Sequence, residues 1–205
     1  MKMNRYILMA LMVILASCER ETIPSEPKII ATFDAVAENP QKTKLAINED
    51  YILSWEEGDK ILVNDGTASK LFVAQSKGAA TTFSAEGIIL VDGKTYVAAY
   101  PESSAIFNDG TLLLNVPETF VASPGTYPDA PAVALGSGSE KKLEFKNVCS
   151  LISFNVTGSN VTSVTVEGAK GETLAGLVTV DPVTAEYTIA DEQRKDKIVL
   201  TSAVN

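Results

Sequence analysis

The sequence predicts an all-β sandwich, and three observations carry that expectation. Short apolar runs alternate with a period of two, the pattern of a half-buried strand. Gly, Asn, Asp and Pro interrupt those runs at short intervals, as turns do. No segment has a convincing amphipathic helical period, and Asp191 to Asp196 has room for one turn at most. Many short strands without helices to cover them bury their apolar faces against one another, which is the two-sheet solution.

The elements follow in chain order from Lys28. Ile29, Ala31, Phe33 and Ala35 share one face of a strand over 29–36, and Thr32 and Asp34 take the other. Strands are expected around Ile52–Trp55, Lys60–Asn64, Lys70–Ala74 and Thr81–Ala85. Asp92-Gly93 separates Ile88–Val91 from Thr95–Tyr100, and Asp109-Gly110 separates Ala105–Phe107 from Thr111–Val116. Asp-Gly tolerates the positive φ angles of a type I′ turn, so each pair reads as a hairpin. Asp65-Gly66 reads as a longer loop.

Prolines 117, 124, 128 and 131 mark a long surface connection or a pair of edge segments, because proline cannot donate to a ladder. Strands resume at Ala132–Leu135 and Lys142–Asn147, where Leu143 and Phe145 alternate with charged residues. Asn147 is the expected bulge, where the apolar face switches. Ile152, Phe154 and Val156 share a face, with Cys149 and Leu151 opposite. Apolar residues on both faces predict a central strand. Val161–Val166, Leu174–Val180, Glu186–Ile189 and Lys197–Thr201 complete the set. The last strand leads directly to Asn205 and is expected either to leave a sheet edge open or to belong to a truncated reading frame.

Ahead of this domain lies an export signal. Lys2 and Arg5 precede an apolar run from Tyr6 to Ala16, and Leu15-Ala16-Ser17-Cys18 follows as a lipobox. A helix over that run rises about 16 Å, too short for a bilayer core of ~30 Å, and it has the length of a signal h-region. The alternative is a plain secretory signal with a chance cysteine. In the lipobox reading cleavage falls between Ser17 and Cys18, and the Cys18 thiol carries the diacylglyceryl group into the outer-membrane lipid. Two or more acyl chains hold a protein stably on a membrane. The expected organisation is a signal peptide at 1–17, a charged, proline-bearing tether at 18–27 and one β-sandwich domain at 28–205.

Composition narrows the function. The formal net charge is −9 and the sequence pI about 4.6, which argues against a nucleic-acid partner. Cys149 is the one cysteine left once Cys18 is acylated, so no intrachain disulfide forms, and it reads as a buried small hydrophobe. The chain has no histidine, hence no imidazole base or ligand. It has no nucleophile elbow, phosphate loop or metal-ligand cluster, so neither an enzyme nor a cofactor is expected. Glu56, Glu57 and Asp59 lack the dense spacing of a calcium loop. Trp55 and Tyr100 are candidate ligand contacts through ring stacking; packing is the competing reading for both.

Four motifs recur in a recognisable order. Lys42-Thr43-Lys44 comes first, then Trp55-Glu56-Glu57-Gly58-Asp59-Lys60-Ile61. Tyr96-Val97-Ala98-Ala99-Tyr100-Pro101 and the run from Phe145 to Phe154 follow. Behind a lipobox, this set resembles the N-terminal domain of the fimbrillin-like lipoproteins of Bacteroidetes, the group around the major and minor fimbrial subunits. The resemblance implies a transthyretin-like antiparallel β-sandwich of Greek-key style, displayed at the outer membrane. It implies assembly in which a protease removes the N-terminal strand and a partner's segment fills the groove. Carried onto this chain, the strand Ile29–Val36 is the removable one, and Lys42 and Lys44 are the candidate cleavage positions. Glu19 and Glu21 resemble the acidic export tags of surface lipoproteins from the same group. The expected function is a fimbrial, pilin-like structural or adhesive subunit whose partners are other fimbrial subunits or a host surface ligand. The alternative is a monomeric surface lipoprotein that binds glycan or host protein.

Overall fold

The computed structural model describes residues 28–38, 54–122, 131–150, 152, 156–158 and 160–202. The expected signal peptide, the tether, and Ser17, Cys18, Lys42 and Lys44 lie outside them. In chain order the first strands are β1 (Ile30–Val36), β2 (Lys60–Asn64), β3 (Ser69–Ala74), β4 (Ala80–Glu86) and β5 (Thr95–Tyr100). Next come β6 (Ala105–Asn108), β7 (Thr111–Val116), β8 (Thr119–Ala122), β9 (Ala132–Ser137), β10 (Lys142–Glu144) and β11 (Lys146–Asn147). The last are β12 (Ser163–Glu167), β13 (Ala175–Val180), β14 (Tyr187–Thr188), β15 (Arg194–Lys195) and β16 (Lys197–Ser202). The helical content of the described residues is two short 3-10 turns, Glu102–Ser104 and Asp191–Gln193.

The largest sheet has the order β10-β1-β4-β3-β2-β5-β9-β11. Its two ends meet in the chain, because β10 and β11 are separated by Phe145 alone. β10 pairs with β1 and β11 with β9, and the Phe145 N–H donates to the Val36 carbonyl at 3.0 Å. One segment therefore stitches the first strand to the ninth, and the sheet rolls into a near-closed barrel. Gly136 allows the approach: a Cβ there would lie 2.7 Å from Leu143 Cδ2 and 2.9 Å from the Lys142 carbonyl. The segment changes partner at Phe145, and Asn147, the position of the expected bulge, pairs with Ala132.

Alternation fills the barrel. Ala31, Phe33 and Ala35 of β1 are buried and their neighbours exposed. Phe72, Phe83, Tyr96 and Leu143 join them in one core. Burying a side chain the size of Phe33 contributes about 1.5–3 kcal/mol.

β5 and β9 serve two layers. Tyr96, Ala98, Ala132 and Ala134 belong to the barrel core, while Ala99 and Val133 belong to a second one. That second core is completed by Leu112, Leu114, Val178 and Val180 from a sheet of order β14-β13-β7-β6. Barrel wall and second sheet thus pack face to face as a sandwich. In the β6–β7 hairpin Asp109 and Gly110 have φ of 47° and 78°, the left-handed pair expected of type I′. A third sheet has the order β12-β16-β8.

Several expectations change. The sheets are mixed: β1 runs parallel to β10, and β16 parallel to β8. Both partners arrive through long connections, and parallel pairing requires such connections. Ile88–Val91 is not a strand. Ile88 and Leu90 pack on the barrel core, Ile89 is 69% exposed, and the Val91 N–H donates to Tyr96 Oη at 3.0 Å. Ile152 and Val156, expected on a central strand, are exposed and belong to no strand; Leu151 and Phe154 lie outside the described residues. β16 is the middle strand of its sheet, so the open edges there belong to β12 and β8.

Candidate functional site

Trp55 lies just ahead of β2, in an isolated bridge with Gly78. Its indole is 4% exposed and meets the rings of Phe83, Tyr100 and Phe145, each with centroids 5.1 Å away and near edge-to-face. Such aromatic contacts add to the burial of area. Its Nε1 is buried and has no hydrogen-bond partner among the described residues. Tyr100 is half-buried against the same core. The structure thus brings the two candidate ligand contacts together, but inside the packing, and a ring so enclosed offers a sugar no face.

The acidic run before β2 is a turn. The Glu56 N–H donates to Asp59 Oδ2 at 2.9 Å, and Glu56 pairs with Lys77 at 2.6 Å. Among the described residues no group of three His, Cys, Asp or Glu side chains could hold a metal ion. Cys149 is half-buried against the second core, and burial pushes its thiol up to about 11. A thiol held protonated is a poor nucleophile.

Two surfaces stand out among the described residues. The first is the slot filled by β1. All seven residues of the strand pair antiparallel with β4, and Asp34, Ala35 and Val36 also pair with β10. Its inward side chains are two alanines and one phenylalanine, Phe33, which is fully buried against Phe72 and Tyr96 with centroids 5.5 Å away. The slot is therefore shallow at its ends and deep at its centre.

The second is a groove of about 720 Å³ where the barrel wall and the second sheet part. Phe107 and Tyr187 lie in its lining, with Val97, Leu112 and Val180 between them. Asn64 and Thr95 contribute from the barrel side, and Asp181 and Glu186 from the turn after β13. Sequence reading missed this groove because its aromatic residues are far apart in the chain. Only the β6-β7-β13-β14 register aligns them. Comparison with protein-family models, with curated proteins and with solved structures finds no match to this chain.

Proposed function

We propose that this chain is a lipid-anchored cell-surface subunit, structural or adhesive, that assembles by β-strand addition. In this reading it has the transthyretin-like fold of the fimbrillin-like lipoproteins, Cys18 is acylated, and the outer membrane is its location. The supporting observation is the place of β1. It is the first described strand, it bonds to β4 along its whole length, and it fills the barrel through Ala31, Phe33 and Ala35. Main-chain bonds to an edge and alternate side chains in pockets are the contacts that a donated strand reproduces. Removing β1 by a cut at Lys42 or Lys44 would release the domain from its Cys18 anchor and leave β4 and β10 unpaired along the slot, and a partner's segment would restore both ladders.

The test uses the full chain with a specific protease site placed at residues 42–44. After cutting and brief passage through urea, a labelled peptide of the Ile29–Val36 sequence is taken up, and the uncut chain excludes it. A cut chain that keeps native Trp55 emission and refuses the peptide sinks the reading. In cells, labelled fatty acid enters the wild-type chain and is lost in Cys18→Ala, and antibody to the chain decorates filaments or their bases.

A further inference from the structure

We propose that the groove between the barrel and the second sheet binds an oligosaccharide that carries no acidic groups. Its floor is a single cross-strand row. Phe107 is paired with Leu112, Leu112 with Val180, and Val180 with Tyr187. Directly paired residues project from the same face of a sheet. Leu112 and Val180 are buried in the second core, so the row faces the barrel, with an aromatic ring at each end. Three strand spacings separate the two rings, about 14 Å, longer than one sugar ring. The volume, about 720 Å³, lies within the ~300–1,000 Å³ of ligand sites.

The chemistry of the lining selects among ligands. Val97, Leu112 and Val180 line the groove with apolar side chains, Leu112 and Val180 being almost fully buried, and Tyr187 is 49% exposed, with ring surface left open to a sugar's C–H face. On the barrel side the rim carries Thr95 and Asn64. It includes the carboxylates Asp181 and Glu186 and no lysine or arginine. Sugar hydroxyls donate to such carboxylates, whereas phosphate, sulfate and sialic acid are repelled by them and by the net charge of −9. The row also crosses the strands. A peptide added to the β6 or β14 edge would run along them, so an occupant spanning both rings is not a β-added peptide.

This site does not depend on the strand-exchange reading: loss of sugar binding would leave the peptide-uptake result untouched, and the reverse. The full chain in detergent is applied to an array of neutral, amino-bearing, sialylated and sulfated oligosaccharides. Neutral or amino-bearing oligosaccharides are retained and the acidic ones are not. Tyr187→Ala, an exposed position, weakens retention about tenfold, the scale of one lost aromatic contact. Ile106→Ala, exposed on the opposite face of β6, leaves it unchanged. Absence of any retained sugar, equal retention of acidic sugars, unchanged binding by Tyr187→Ala, or capture of peptides alone would each overturn the proposal.

Discussion

Trp55 is the sole tryptophan of the chain, and its position makes it both a strut and a reporter. Three rings enclose it, so Trp55→Ala removes a large volume from a site with little freedom to collapse. The expected cost is about 3–5 kcal/mol, read as a lower urea midpoint by circular dichroism. A loss under 1 kcal/mol would mean the ring is not part of the core. Cys149 makes an independent prediction. With its thiol raised from 9.0 to about 11 by burial, the fold favours the protonated form. That contribution is complete below pH 9 and is lost as the pH rises through about 11. The thiolate is the reactive form, and burial disfavours it. Iodoacetamide therefore labels the Cys149 peptide slowly in the native chain and quickly in urea, and equal rates would contradict the burial.

Two turns that the sequence marks separately are joined in the fold. Lys94, beside the Asp92-Gly93 turn, donates to Asp65 Oδ2 at 2.7 Å, and Asp65 Oδ1 accepts the Thr67 and Ala68 N–H groups at 2.8 Å each. The Lys94 ammonium first, then those two amides, hold the Asp65 carboxyl well below the usual carboxylate range. A depressed value stabilises the fold above the ordinary 3.8, and the contribution is lost as the pH falls below it. Both side chains are a third exposed, so Asp65→Asn costs about 1 kcal/mol at pH 7. It also flattens the acid limb of the stability curve; an unchanged limb would rule the pair out. The same elements show what was legible. Alternation places β1 and β7, and Asp109-Gly110 places a hairpin, because those signals are local. Ile88 to Val91 alternates equally well as a strand or as a lid whose Ile88 and Leu90 turn inward, and tertiary packing decides. The β1–β10 pairing and the Phe107–Tyr187 row depend on long-range register, which no local pattern encodes. Trp55 and Tyr100 are visible in the sequence as aromatics, but the enclosure of Trp55 comes from Phe83 and Phe145, distant in the chain.

Barrel and second sheet share their wall, and this governs how the whole molecule unfolds. β5 points Tyr96 and Ala98 into the barrel and Ala99 out of it, and β9 does the same with Ala134 and Val133. Neither layer can lose its core without exposing the back of a strand that the other needs. The two cores should therefore melt together in one cooperative transition. Leu114 tests the point: it is fully buried in the second core, on β7, and is absent from the barrel core. Leu114→Ala removes buried volume worth about 2–5 kcal/mol. If the layers are coupled, the urea midpoint reported by Trp55, inside the barrel, falls by the same free energy as the midpoint reported by circular dichroism. If they are independent, Trp55 emission keeps its wild-type midpoint while the β signal splits into two transitions. Coupling also bears on strand exchange. A barrel that exchanges β1 must stay folded meanwhile, and the second sheet, holding β5 and β9 from outside, is the support that would keep the slot open for an incoming strand.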